Sequence, residues 1–131
     1  MAKRATPEGA VVCFTADLPP DSLKPNARVH WGRKAKDTKA YRQMVSVYAL
    51  RAASGVSGFP VKRAKVRLTF YFRTNRRRDR DNLLAWFKAG FDGMTDGRLL
   101  ADDSGITHEP VEVIVDPDVD PHVLVRVEPL P

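Results

Sequence analysis

The most regular alternation of apolar and polar residues lies in Val61–Phe72, and it predicts a β-strand. The apolar face of this strand carries Val66, Leu68, Phe70 and Phe72. The opposite face carries Lys65, Arg67, Thr69, Tyr71 and Arg73. We expect the apolar face to enter the core, whereas three environments stay open for the opposite face: solvent, a partner chain or nucleic acid.

Shorter apolar runs predict three further strands. They are expected at residues 10–17, Gly105–Val115 and His122–Val127. The segment between the last two strands, residues 116–121, is rich in Asp and Pro. This composition predicts a hairpin connection between those two strands.

Apolar residues at helical spacing predict two helices. The first begins at Asp37 or Thr38, either of which can cap it, and ends at Gly55. The second covers residues from about 80 to 95 and ends at Asp96-Gly97. Its core-facing stripe is Leu83, Leu84, Phe87, Phe91 and Met94. The segment that precedes the first helix, Leu18–Lys36, holds three prolines and several basic residues, so it is expected to be a loop.

These elements follow one another in the order βαβαββ. This order predicts an α+β fold in which a mixed sheet of about four strands carries two packed helices. A chain of 131 residues is long enough for one domain with a sizeable core, so we assign residues 1–131 to a single domain. Residues 1–9 are polar and are expected to be loose.

The charge of the chain narrows the choice of partners. The formal net charge is +6 and the sequence pI is about 9.8, which favours an anionic partner, with nucleic acid the leading candidate. The single Cys13 excludes an intramolecular disulfide and a cysteine-rich zinc site, and its apolar neighbours predict a buried strand residue. The N-terminus lacks an apolar stretch of signal-peptide length and no segment is expected to span a membrane, so we expect a cytoplasmic protein.

The strongest candidate chemistry lies in Arg76–Leu83, where Asp79 and Asp81 stand beside three successive arginines. Lys88 and then Asp102-Asp103 follow. Carboxylates can hold a divalent metal, and the cations can hold a polyanion whose phosphodiester the metal activates. On one continuous helix Asp81 and Lys88 would share an edge, two turns apart. The structural alternative is that Asp79 and Asp81 cap the helix, the arginines form a solvated loop and Asp102-Asp103 form a turn.

A second candidate is His30-Trp31, which lies in a basic segment with Arg28, Arg33 and Lys34. Cations around an aromatic ring suit phosphate contact together with base stacking. The alternative is that Trp31 packs onto the domain and the charges are solvated. His108-Glu109 could be metal ligands or an acid–base pair, but a structural pair at a strand edge is the favoured interpretation.

These motifs resemble the RusA-type Holliday junction resolvases, and most closely the phage and prophage branch of that family. The pattern D-x-D-N-L…K…D-G…D-D is carried by Arg77–Leu83, Lys88–Asp92 with the glycine that follows, and Leu100–Asp103. The segment Pro25–Trp31 is similar to the Asn-Arg loop of the family, and the resemblance spans about residues 12 to 128. In the better-known resolvase the lysine lies about one helical turn closer to D-x-D-N-L than Lys88 does.

The resemblance implies a Mg²⁺-dependent endodeoxyribonuclease that resolves four-way junctions by paired nicks. It implies that Asp79, Asp81 and Asp103 bind the metal, with Asp102 the less favoured of its pair, and that Lys88 acts on the scissile phosphate. Mn²⁺ is the alternative metal. The predicted DNA-binding residues are Asn26, Arg28, Trp31, Arg33, Lys34, Arg76, Arg77, Arg78 and Asn82.

The resemblance also implies a homodimer that acts on branched DNA during recombination and repair, in the cytoplasm of a bacterium or a phage-infected cell. A four-way junction has two-fold symmetry, so a dimer with one site per chain matches its two cuts. Two alternatives stay open. One is a nuclease for flaps or replication forks, and the other is a nucleic-acid-binding module that does no chemistry.

Overall fold

The computed structural model describes residues 10–131, in which five strands form one mixed sheet. The strands are β1 (Val12–Asp17), β2 (Ala64–Phe72), β3 (Ile106–His108), β4 (Glu112–Val115) and β5 (His122–Pro129). The helices are α1 (Trp31–Ala53), α2 (Arg80–Trp86) and α3 (Lys88–Asp96), with short 3₁₀ turns at Asp21–Leu23 and Asp103–Gly105. The expectation that residues 1–9 are loose falls outside the described residues. None of the helices in 10–131 combines the length and the apolar character that crossing a membrane requires.

The sheet is built around β2. On one side β2 pairs antiparallel with β5, which pairs antiparallel with β1. On the other side β3 and β4 pair in parallel with successive parts of β2. This arrangement confirms the predicted α+β fold with a mixed sheet.

The end of the chain differs from the prediction in two respects. The strand expected over Gly105–Val115 is divided into β3 and β4, because Pro110 in the intervening segment has no amide hydrogen to donate to the sheet. The predicted hairpin at residues 116–121 is wrong, since β4 and β5 lie on opposite sides of β2. The connection instead passes the end of β2, where the Asp116 amide donates to the Phe72 carbonyl at 2.8 Å.

Helix α1 begins earlier than expected, at Trp31 rather than at Asp37 or Thr38. The cap is His30, whose Nδ1 accepts a hydrogen bond from the Gly32 amide at 3.0 Å. The last six residues of the segment that was expected to be a loop, residues 31–36, are therefore helical.

The single helix expected over residues 80–95 is divided at Phe87. The Phe87 backbone leaves the helical region (ψ 6°), and its side chain is fully buried against the rings of Tyr41 and Phe91. Gly90 makes room for this ring, because a Cβ at that position would collide with it. Burial of one aromatic side chain thus separates α2 from α3 and gives Lys88 the first position of a new helix.

The core lies between the helices and one face of the sheet. That face carries the predicted apolar residues of β2 together with Val123, Val125 and Val127 of β5. Helices α1 and α3 approach closely at Gly93, where an added Cβ would stand 2.5 Å from the Arg42 carbonyl oxygen. A bidentate ion pair between Arg42 and Asp96 joins the same two helices, with N–O distances of 2.5 and 2.9 Å.

The opposite face of the sheet is largely polar and partly exposed, with Thr69 buried and Lys65, Arg67 and Tyr71 half-buried. Arg67 pairs with Glu109 at 3.5 Å, and the Tyr71 ring stacks on His122 with the centroids 4.4 Å apart. Cys13 lies on this face and is exposed, so its predicted burial is wrong. The reason is the strand alternation, which directs Val12 into the core and the next residue away from it.

Candidate functional site

Three adjoining grooves on the helical side of the molecule are lined by some of the predicted site residues. We call them the aspartate groove, the lysine groove and the Asp103 groove, and each is defined below by its lining residues. The grooves adjoin because they share lining residues: Pro25 and Trp86 belong to the first two, and Lys88 and Asp92 belong to the last two.

The aspartate groove, of about 230 Å³, is lined by Lys24, Pro25, Asn26, Phe72, Arg78, Asp79, Asn82, Leu83 and Trp86. Asp79 is the N-cap of α2, and its Oδ1 accepts hydrogen bonds from the amides of Asp81 at 2.8 Å and Asn82 at 3.3 Å. Its second carboxylate oxygen accepts no hydrogen bond from any residue in 10–131. Asp79 therefore caps the helix, as the structural alternative proposed, and still has one oxygen free for a ligand.

The three successive arginines have different roles. Arg76 and Arg77 are exposed and form no ion pair with any described residue. The Arg78 guanidinium lies 3.7 Å from the centroid of the Phe72 ring and donates to the carbonyls of Thr74 and Arg76 at 3.0 and 3.1 Å. Partial burial, with Arg76 nearby, lowers the pKa of Arg78 below its usual range. Arg78 thus holds the loop that presents its two neighbours.

The lysine groove, of about 340 Å³, is lined by Leu23, Pro25, Lys34, Thr38, Ala85, Trp86, Lys88, Ala89 and Asp92. The Lys88 ammonium lies 3.8 Å from the Asp92 carboxylate, one turn further along α3, and the lysine side chain is 79% exposed. The expectation that Asp81 and Lys88 share one edge of a continuous helix is wrong, because the two residues are on different helices.

The Asp103 groove, of about 180 Å³, is lined by Lys88, Phe91, Asp92, Asp103, Ile106 and His108. The fold therefore brings Asp103 to the same groove as Lys88, although the two residues lie on different elements. Asp102 is engaged elsewhere: it accepts a hydrogen bond from the Ser104 hydroxyl at 2.7 Å, and this bond lowers the pKa of the Asp102 carboxyl below its usual range. Asp103, and not Asp102, lines the groove that contains Lys88.

The carboxylates do not form a preassembled metal cage. Within residues 10–131, no three His, Cys, Asp or Glu side chains are close enough together to hold a metal ion. Asp79 lines the aspartate groove and Asp103 the Asp103 groove, while Asp81 is exposed at the start of α2. Mg²⁺ is commonly held by one or two carboxylates, with water and substrate phosphates as the other ligands. The residues present fit such a substrate-completed site, but not a preformed cluster of three aspartates.

His108 lies beside the candidate site rather than at the centre of an acid–base pair. Its ring packs edge-on against Phe91 with the centroids 4.9 Å apart, and partial burial lowers the pKa of His108 below its usual range. Glu109 points to the other face of the sheet, where it pairs with Arg67. The two side chains therefore lie on opposite faces of the sheet.

Trp31 does not pack onto the domain. Its side chain is 78% exposed, the highest value among the large apolar residues, and it stacks on His30 with the centroids 5.4 Å apart. It lines a fourth groove, which we call the tryptophan groove, of about 890 Å³. The other residues that line it are Lys34, Ala35, Thr38, Lys39, Arg42, Gln43, Ser46 and Asp96. Of the neighbouring cations, Arg28 is exposed, and Arg33 lies 3.7 Å from Asp37.

The sequence interpretation did not assign two residues of this surface. Asp92 contacts Lys88 and lines two grooves, and its i, i+4 spacing from the lysine was the available signal. Lys24 lies 5.0 Å from the centroid of the buried Trp86 ring and 3.1 Å from Asp21, and no pattern in the sequence indicated this stacking.

Comparison with known proteins gives a relative but no family. No family model matches the chain. A Xylella fastidiosa protein (strain Temecula1), described as an uncharacterized protein, is 37% identical over 100 residues. The aligned region covers 76% of this chain and 65% of that protein, so the chain spans less than two thirds of the relative's length. The relative's description gives no activity that could be compared with the grooves.

Proposed function

We propose that the protein is a Mg²⁺-dependent endodeoxyribonuclease that cuts branched DNA and resolves four-way junctions by paired nicks. The observation that carries the proposal is the meeting of Lys88, Asp92 and Asp103 in one groove. These residues belong to the motifs by which the chain resembles the RusA-type resolvases. The adjoining aspartate groove supplies Asp79, with Asn82 beside it.

One or two Mg²⁺ ions would be held, each by one or two of the three aspartates. When bound, Mg²⁺ polarises the phosphate and lowers the pKa of a coordinated water. Asp79 offers the oxygen that does not cap α2, Asp81 is exposed next to it, and Asp103 lines the same groove as Lys88. The scissile phosphate and water would supply the remaining ligands of each ion.

Lys88 would stabilise the negative charge that develops on the phosphate during cleavage. The ammonium is exposed, so a phosphate can reach it, and the Asp92 carboxylate at 3.8 Å restricts its orientation. The proposal thus gives Lys88 a role in the transition state and Asp92 a role in positioning.

The DNA backbone would be held by exposed cations around the grooves. Arg28, Lys34, Arg76 and Arg77 form no ion pair with any residue in 10–131 and stay available for phosphates. Asn26 and Asn82 line the aspartate groove and can donate to phosphate oxygens. Such contacts set the position of the duplex without reading its sequence.

Paired nicks require two copies of the site. One chain offers one set of grooves, so we propose a homodimer with two-fold symmetry that matches the symmetry of the junction. The unpaired edge of β1 and the accessible face of the sheet offer surface for such an interface.

The proposal is tested by incubating the protein with labelled four-way junction, fork and linear duplex, each with Mg²⁺ and with EDTA. We expect Mg²⁺-dependent symmetric nicks in the junction and no cleavage of linear duplex. Cleavage of the fork alone would show that the protein is a flap or fork nuclease and does not resolve junctions. Tight binding of all three DNAs without cleavage in Mg²⁺ or Mn²⁺ would leave only the non-catalytic binding module.

A further inference from the structure

We infer that the tryptophan groove binds an unpaired stretch of the DNA substrate, with one base stacked on Trp31 and the adjacent phosphates on Lys34 and Lys39. The inference rests on the proposed function and adds a feature of the bound junction: next to the phosphate that is cut, at least one base pair is opened in the complex. It also assigns a ligand to the largest groove described above.

The position of Trp31 needs an explanation, because folding alone does not require it. An indole that is 78% exposed gains little from the core, whereas the other tryptophan, Trp86, is 4% exposed and donates its Nε1–H to the Pro20 carbonyl at 2.9 Å. Trp31 is held in place from below by the His30 ring and by the first turn of α1. An exposed, supported aromatic ring is the form of a base-stacking platform.

The charges around the groove favour a polyanion. Lys34 and Lys39 line it and form no ion pair with any residue in 10–131. The one carboxylate in the lining, Asp96, is neutralised by its bidentate pair with Arg42, which lowers the pKa of the Asp96 carboxyl. The groove therefore presents two available cations beside an aromatic ring, which suits successive phosphates with a base between them.

The tryptophan groove also adjoins the lysine groove, so a DNA strand bound in one can continue into the other. Lys34 and Thr38 line both the tryptophan groove and the lysine groove, and the latter contains Lys88. A strand whose phosphate contacts Lys88 can therefore continue past Lys34 to Trp31 on one surface. A base inside a duplex has no free face to stack on Trp31, so the nucleotide that reaches the ring must be unpaired.

Tryptophan fluorescence tests this inference directly, because the two indoles differ so strongly in exposure. The probe is a short oligodeoxythymidylate, titrated in EDTA so that cleavage plays no part. We expect it to quench the emission of the parental protein and to change the emission of Trp31→Phe, which reports Trp86 alone, much less. A linear duplex of equal length should quench the parental protein much less.

Affinity is measured in parallel from the anisotropy of the labelled oligonucleotide. Trp31→Ala should bind roughly tenfold to a hundredfold more weakly, whereas Trp31→Phe should retain most of the affinity. Leu50→Ala, which truncates another exposed side chain of α1 outside this groove, should bind as the parent does. Lys39→Ala should weaken binding and reduce its salt dependence.

The inference is overturned if Trp31→Ala binds the oligonucleotide with parental affinity while Trp86 emission shows that it is folded. It is also overturned if Trp31 emission responds to an acidic peptide, or to protein concentration alone, and not to the oligonucleotide. These outcomes are distinct from failure of the proposed nuclease activity. A protein that stacks bases on Trp31 but cuts no DNA would keep the inference and refute the activity.

Discussion

At the residue scale, a substitution of Lys88 distinguishes an effect on the cleavage rate from an effect on DNA affinity most clearly. Lys88→Ala should keep most of its junction affinity, because one cation among many contributes little to a polyelectrolyte contact. It should cleave at least about 100-fold more slowly if the ammonium contacts the transition state. Lys62→Ala, an exposed lysine that lines none of the four grooves, is the matched control. If Lys88→Ala cleaves at the parental rate, this lysine has no role in cleavage.

Asp79 has a structural role and a proposed functional role, and two substitutions can separate them. Asp79→Ala removes the helix cap and should lower the free energy of unfolding by about 0.5–2 kcal/mol. Asp79→Asn keeps an oxygen that can cap α2, so it should unfold close to the parental temperature while losing Mg²⁺-dependent cleavage. Denaturant unfolding and cleavage are measured on both variants. If Asp79→Asn cuts as well as the parent does, Asp79 is only a cap.

At the scale of elements, the sequence indicated β1, β2 and β5 well, and it indicated the division between β3 and β4 and the helix boundaries poorly. The alternation in β2 and the apolar run of β1 were sufficient because they depend on side chains two positions apart. The break at Phe87 could not be predicted from periodicity, since it follows from burial of one ring against Tyr41 on another helix. The early start of α1 likewise depends on a histidine cap, which is a less common N-cap than Ser, Thr, Asp or Asn.

The candidate site could likewise be predicted from the sequence only in part. The sequence identified Asp79, Lys88 and Asp103 as candidates, and the fold placed the last two in one groove. What the sequence could not indicate is that the aspartates lie around several grooves rather than at one point, because their positions depend on how α2, α3 and the Asp103–Gly105 turn pack. The exposure of Trp31 is also a property of the folded surface, and the residue pattern left it open.

The close approach of α1 and α3 gives a prediction about packing. Replacing an exposed glycine in a helix by alanine normally stabilises it, by up to about 1 kcal/mol. Gly93→Ala should instead destabilise the protein by about 1–3 kcal/mol, because the new methyl group would stand 2.5 Å from the Arg42 carbonyl oxygen and push the helices apart. The free energy of unfolding in denaturant measures the effect. A stabilised variant would show that the two helices do not pack as described.

At the scale of the whole molecule, the proposed junction activity requires two chains. Sedimentation at micromolar concentration should report about twice the chain mass of 14.7 kDa, with or without junction DNA. A dimer allows both nicks to be made within one bound complex. A species that stays monomeric under both conditions would argue against paired nicks and would favour the flap or fork activity.

The central claim is that the carboxylates at the start of α2, among them Asp81, are required for metal-dependent cleavage of branched DNA. The most direct measurement is the single-turnover rate at which a labelled four-way junction is cut in Mg²⁺ by the parental protein, Asp81→Asn and Asp118→Asn, with junction affinity measured in EDTA. Asp118 is an exposed aspartate in the turn between β4 and β5, so it is the matched control. We predict that Asp118→Asn cuts at the parental rate and that Asp81→Asn binds as tightly but cuts at least about 100-fold more slowly. Equal rates for all three proteins, or no cleavage by any of them, would contradict the account.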